Sequence, residues 1–280
     1  MPELPEVETT ARGLIPILRG QKITTVQVRV KKLRWDLPKN LGRDLTDATV
    51  TAITRRAKYM VLRLDTGQNW IVHLGMSGRM HRINADQWQT PLKHDHLLLR
   101  LANDICVAFN DPRKFGMMDI VAADKIDIYR HFAHLGAEPL VRGFDGEYLF
   151  EQLQRRKIAV KLAIMDQKLV VGVGNIYASE ALYRARISPK RPAHKISRAE
   201  CDKLAQAIKD VLRLAIKAGG SSLRDYVQSD GKIGHFQDDF AVYGRTGQPC
   251  PACHKAKKPC KIEKFTQGGR STFWCNNTQS

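Results

Sequence analysis

No stretch of this chain approaches 18 consecutive apolar residues, so the sequence predicts no membrane-spanning helix. The opening MPELPEVETT has no basic segment followed by an apolar one, as a secretory signal would. The expectation is a soluble, cytoplasmic protein. Acidic residues are scarce: 28 Asp and Glu stand against 46 Lys and Arg, a formal charge of +18. Such a surplus favours a polyanionic partner. With no Lys/Arg-rich amphipathic helix of the membrane-surface type, nucleic acid is preferred over anionic lipid. Cysteine is nearly absent from most of the chain, since only Cys106 and Cys201 precede Cys250, Cys253, Cys260 and Cys275. That clustering argues against a disulfide framework and reads as metal binding. Apolar material is ample, at 43% of 280 residues. It excludes a disordered or collagen-like chain and suits one large domain or two modest ones.

The patterning divides the chain. Pro5 suits the first turn of a helix, and Val7, Leu14 and Leu18 recur at helical spacing before Gly20. From Lys22 to about Val121 the period changes to two, with Asp-Thr-Gly and Ala-Asn-Asp turns between strands. This predicts an antiparallel β-sandwich carrying one N-terminal helix, residues 1–132. Residues 133–150, broken by Gly and Pro, read as a linker. Residues 151–241 read as a helical domain, in which Ser197 and Glu200 form a capping box ahead of the apolar face Leu204, Ile208, Val211, Leu212 and Ala215. Residues 242–280 form a small basic unit that needs a metal to hold a core. The fold class expected is α+β.

Several segments have chemistry in view beside a plainer structural reading. Cys250-x2-Cys253 is a metal knuckle, but its expected partner is Cys275-Asn-Asn-Thr278, with threonine where a fourth thiolate belongs. Cys260 or His254 is the candidate substitute, although Cys260 falls where a hairpin strand should run. The alternative is a degenerate finger held by hairpin packing. Val170–Ile176 (VVGVGNI) fails as a dinucleotide loop for want of a third glycine and a βαβ unit. It reads either as a phosphate site at a helix N-terminus or as a tight turn between helices. Arg113 and Phe115, in Asn110–Gly116, pair a cation with an aromatic that could enter a base stack. His73–Gly78, with Met76, is a second exposed tip. Arg55-Arg56-Ala-Lys58 by itself reads as a solvated face, and His94 and His96 as structural histidines. Removal of Met1 would expose Pro2 as a secondary amine. With an α-amino pKa near 7.7–8.0, roughly a tenth is free base at neutral pH. Such an amine can attack a sugar C1′ to give an iminium ion, with Glu3 moving protons beside it.

Taken in order, these segments resemble the bacterial formamidopyrimidine-DNA glycosylases, bifunctional repair enzymes for oxidised purines. The resemblance spans essentially the whole chain. It rests on MPELPEVET, Arg56–Tyr59, His73–Gly78, Asp111–Gly116, Val170–Glu180, Gln228–Gly231, Val242–Arg245 and Gly268–Thr272. It implies a β-sandwich, a helix–two-turns–helix element and a C-terminal zinc-finger hairpin. It also implies Pro2 as nucleophile, Glu3 as the acid that opens the sugar, Lys58 as phosphate ligand and proton donor, and Arg270 as an aid to δ-elimination. DNA contacts are expected at His94, Arg113, Arg156, Asn175 and Tyr243. Met76, Arg113 and Phe115 would fill the gap left by the extruded base, and Gly219–Gly234 would close over that base. One Zn2+ per chain, a damaged duplex as partner and a monomeric state complete the expectation. Two other readings are weighed. One is the related endonuclease VIII-like group, which prefers oxidised pyrimidines; it carries Gly where this chain has Leu4 and lacks the full Met76, Arg113 and Phe115 set. The other is a non-cutting damage-binding protein, favoured only by Thr278.

Overall fold

The computed structural model describes residues 2–221, 234–257 and 260–280. Two compact units divide the chain, Met1–His134 with Ala218–His235 and Leu135–Lys217 with Phe236–Ser280. Among the described residues, no helix is long and apolar enough to cross a membrane.

The first unit begins with helix α1 (Leu4–Leu18), which has Pro5 in its first turn. Glu6 reaches back to accept the Glu3 backbone N–H at 2.8 Å, a reciprocal cap that fixes the entry of the chain. Leu4, Val7, Leu14 and Leu18 are fully or almost fully buried, each such side chain stabilising by roughly 1.5–3 kcal/mol. Next come β1 (Ile23–Val28), α2 (Leu41–Leu45), β2 (Val50–Arg56), β3 (Tyr59–Leu64), β4 (Gln68–His73) and β5 (Arg79–Ile83). After α3 (Ala85–Gln89) follow β6 (Asp95–Leu101), β7 (Cys106–Asn110) and β8 (Met117–Ala122). They form two four-stranded sheets, ordered β1-β6-β7-β5 and β2-β3-β4-β8. Every pairing is antiparallel. One core joins both sheets to α1 through Val7, Leu14, Ile23, Leu62, Trp70, Leu99 and Phe109. The expected α+β sandwich with an N-terminal helix is present.

The second unit contains α4 (Gly146–Gln154), α5 (Val160–Met165), α6 (Asn175–Ala185) and α7 (Arg198–Lys217). A short α8 (Pro251–Lys255) precedes the hairpin of β9 (Glu263–Gln267) and β10 (Arg270–Trp274). Helix α4 starts within the stretch 133–150, because Asp145 caps it by accepting the Tyr148 N–H at 2.9 Å. Ser197 and Glu200 cap α7 reciprocally: Ser197 N–H donates to Glu200 Oε2 at 2.9 Å and Glu200 N–H to Ser197 Oγ at 3.3 Å. Arg191 pairs with the same carboxylate and, ahead of its other partners, holds it well down, to about 2. The apolar face expected on α7 is the buried one.

Candidate nucleic-acid interface and active site

The first unit carries Pro2, Glu3, Lys58, Met76, His94, Arg113 and Phe115; the second carries Arg156, Asn175, Tyr243, Arg270 and the cysteine cluster. Pro2 and Glu3 are buried at the head of α1. The neighbouring Glu6 carboxylate, 2% exposed, also accepts from Ser221 N–H at 2.9 Å and Ser221 Oγ at 3.0 Å. Lys58 sits in the β2–β3 turn after Ala57, whose φ is +53°. The basic run before it is not a solvated face. Arg55 donates through Nε to Glu8 Oε2 on α1 at 3.0 Å and through Nη1 to the Ala57 carbonyl at 2.8 Å, so it fastens the lysine turn to α1. Lys58 itself is 7% exposed. Next to that turn, His73 packs on the Tyr59 ring at 4.7 Å and accepts the Gly75 N–H through Nδ1 at 2.9 Å. Burial first, then the positive charges of Lys58 and Arg34, lower its pKa to about 4, so it is neutral at neutral pH.

The two loops expected to probe the duplex are locked together by one carboxylate. Asp111, fully buried, accepts from Ser77 Oγ at 2.6 Å and from Gly116 N–H at 2.7 Å. Ser77 Oγ in turn accepts the Arg113 N–H at 3.2 Å. Gly75, at φ +65°, lies so close to the second loop that a Cβ there would fall 2.2 Å from the Phe115 carbonyl carbon. Above this frame Met76 is half-buried, while Arg113 and Phe115 are exposed with the guanidinium 4.9 Å from the ring centroid. Rigid support below and free tips above is the construction a wedge requires. His96 is structural, its Nε2 2.9 Å from the Asp111 carbonyl, and His94 is half-buried beside it.

In the second unit, Asn175 opens α6. Its side-chain oxygen accepts from Lys161 Nζ at 2.6 Å and its Nδ2 donates to the Ser271 carbonyl on β10 at 2.9 Å. Lys161, fully buried on α5, also donates to Thr272 Oγ1 at 2.7 Å. One lysine therefore joins the glycine-rich turn to the hairpin that ends in Arg270. Sequence reasoning missed it; the available signal was a lysine inside the apolar run Val160–Met165. It also passed over Glu180, a fully buried α6 carboxylate that accepts the N–H groups of Ala241, Val242 and Tyr243 at 3.0, 2.9 and 2.8 Å. Tyr243 is thus held by its backbone while its ring packs on Phe273 at 4.8 Å. Arg156 is half-buried, 3.7 Å from Asp166, and donates to the Gln152 carbonyl at 2.7 Å. Arg270 is exposed immediately after Gly268 and Gly269, at φ +56° and +72°, the backbone that a two-residue hairpin turn demands. Gln228–Gly231 and most of Gly219–Gly234 lie outside the described residues.

Cys250, Cys253, Cys260 and Cys275 bring their sulfurs within 4.8 Å of one another, a set that could hold a metal ion. His254 is exposed and is not among them. Cys260 does not lie in a hairpin strand as expected; it precedes β9 and leaves the strand register undisturbed. Burial would raise the Cys250 thiol, but hydrogen bonds from Tyr183, the Cys253 backbone and Thr278 outweigh it and bring the thiol down to about 6.

Two family models match this architecture: the Formamidopyrimidine-DNA glycosylase N-terminal domain over residues 1–118 and the Formamidopyrimidine-DNA glycosylase H2TH domain over residues 135–227. The chain belongs to the formamidopyrimidine-DNA glycosylase family. Its relatives of that name include proteins from Azorhizobium caulinodans, 45% identical over 298 residues, and Rhodospirillum rubrum, 46% identical over 280, each alignment covering 100% of both chains. Among solved structures, the MutM (Fpg) protein from Thermus thermophilus is similar at TM-score 0.86 and 36% identity, with 99% of this chain and 98% of that one covered. Lactococcus lactis Fpg, solved with DNA containing N7-benzyl-Fapy-dG, is similar at TM-score 0.90 and 33% identity over 100% of both chains. Formamidopyrimidine-DNA glycosylases thus match the chain in both sequence and fold from end to end. A membership of this kind makes the chain a DNA-repair glycosylase acting on damaged bases.

Proposed function

We propose that the chain excises oxidised purines, 8-oxoguanine and formamidopyrimidines, from duplex DNA and then nicks the abasic strand by β,δ-elimination. The observation that carries this reading is the placement of Pro2 and Glu3 at a capped, buried helix start, with the Lys58 turn fastened to that helix through Arg55 and Glu8. Once Met1 is removed, the Pro2 nitrogen attacks C1′ of the damaged nucleotide. The N-glycosidic bond breaks, the base leaves with its electron pair, and a proton donor neutralises it. Glu3 takes the proton that the Pro2 nitrogen sheds and passes it to the ring oxygen as the sugar opens to the iminium form. Loss of a C2′ proton then expels the 3′ phosphate, and a second elimination expels the 5′ phosphate, with Lys58 and Arg270 offsetting the charge on the departing groups.

Extruding a base costs a few kcal/mol, so the reading needs both a wedge and a phosphate grip. Met76, Arg113 and Phe115 supply the wedge, while His94, Arg156, Asn175, Tyr243 and Arg270 contribute to a grip consistent with the +18 surplus. Binding should therefore weaken steeply with salt. The cysteine cluster would hold one Zn2+, whose chemistry is structural: it joins the base of the hairpin that presents Arg270. Pro2→Gly tests the assignment. It should lower strand nicking by at least tenfold while duplex binding stays within a few fold; equal loss of both would remove Pro2 from the role of nucleophile.

A further inference from the structure

The finger departs from a pair of Cys-x2-Cys knuckles at one place, Thr278, yet four thiols still converge because Cys260 enters from between the knuckles. Main-chain pairing sets its position. Cys250 N–H donates to the Cys260 carbonyl at 3.1 Å, Ile262 N–H to the Gln248 carbonyl at 2.9 Å, and Gly247 N–H to the Ile262 carbonyl at 2.9 Å. Pro249 and Lys261 complete this short antiparallel ladder. It registers Cys260 opposite Cys250.

A tetrahedron with arms of about 2.3 Å has edges of about 3.8 Å. Cys253 and Cys275 sulfurs are 3.7 Å apart, and Cys260 and Cys275 sulfurs 3.3 Å. Thr278 Oγ1 lies equally near, 3.2 Å from Cys275, 3.3 Å from Cys253 and 3.6 Å from Cys250. Distance admits either group, and chemistry separates them. A thiol gives up its proton to zinc at neutral pH, whereas an aliphatic hydroxyl remains a neutral, weak donor. Four thiolates around a dication carry a net charge of −2, which hydrogen bonds to sulfur disperse. Tyr183 already works this way: its hydroxyl accepts the Ala252 N–H at 3.1 Å, leaving its own hydrogen for Cys250 Sγ at 3.3 Å.

We propose that Cys260 is the fourth zinc ligand of this chain, moved from behind the hairpin to in front of it, and that Thr278 donates a hydrogen bond to the thiolates without ligating. The proposal rests on the reading of the finger as a zinc centre. Its consequence is mechanical. Cys260 leads into β9 and Cys275 follows β10, so the metal clasps both strands beneath Arg270.

The test uses full-length protein loaded with Co2+, together with zinc stoichiometry of the purified chain. Wild type should hold one metal per chain with the visible spectrum of a tetrahedral four-thiolate site. Cys260→Ser should lower the sulfur-to-cobalt charge-transfer band by about a quarter per cobalt and weaken metal affinity tenfold or more. Thr278→Val and His254→Ala should leave the band intact. Cys260→Ser combined with Thr278→Cys should restore it, by returning the thiolate to the second knuckle. A full band in Cys260→Ser, or a missing quarter in Thr278→Val, would overturn the ligand assignment. A wild-type chain that takes up neither metal would instead refute the zinc reading itself.

Discussion

Replacing Lys161 by methionine keeps the length and volume of the side chain while deleting the ammonium that joins α5, α6 and β10. The Ser271 carbonyl retains a donor from Asn175 Nδ2, but Asn175 Oδ1 and Thr272 Oγ1 lose bonds of 2.6 and 2.7 Å. The buried Thr272 Oγ1, left without that donor, costs about 1–3 kcal/mol, and the half-buried Asn175 Oδ1 costs less because water can reach it. Relief of a buried positive charge acts in the opposite direction. The net loss of stability is therefore about 2 kcal/mol, below the simple sum. Function should suffer more than stability, because Asn175 and the β10 strand behind Arg270 lose a common anchor. Urea unfolding should give a lower midpoint with an unchanged slope. Nicking of a lesion duplex should fall at least tenfold, and the salt dependence of binding should drop by about one phosphate contact. A variant with wild-type stability and full nicking would show that the lysine is filler.

Gly75→Ala places a Cβ against the Phe115 backbone at a positive φ, so it should destabilise the first unit by about 2 kcal/mol or more, read by thermal unfolding. Phe115→Ala removes a side chain that is 39% exposed; stability should stay within about 1 kcal/mol of wild type while lesion excision drops clearly in single-turnover kinetics. His73, with its pKa held near 4, binds a proton in the unfolded chain before it does so in the folded one. Its contribution to stability is complete above pH 6.5, is lost as pH falls from 6.5 to 4, and is flat below that. A histidine NMR titration with a His73 midpoint near 6.5 would contradict this.

Much of the fold was legible in the sequence because its signals are local. Pro5 and the Val7, Leu14, Leu18 spacing marked α1, period-two alternation marked the sheets, and Ser197 with Glu200 marked the start of α7. Residues that depend on distant partners were not legible. Lys161 takes its meaning from Thr272, over a hundred positions away, and Arg55 from Glu8. Asp111 takes its role from Ser77 and Gly116, which only the folded chain brings to it. Cys260 had the right chemistry, but only the pairing of residues 247–250 with 260–262 places its sulfur. The tip residues Met76, Arg113, Phe115 and Arg270 came from motif order; their supports came from the structure.

The most direct measurement is borohydride trapping on a duplex carrying 8-oxoguanine opposite cytosine. The account predicts a covalent protein–DNA adduct whose N-terminal peptide begins at a modified Pro2. Tight lesion binding with no adduct, or an adduct on a lysine, would contradict it.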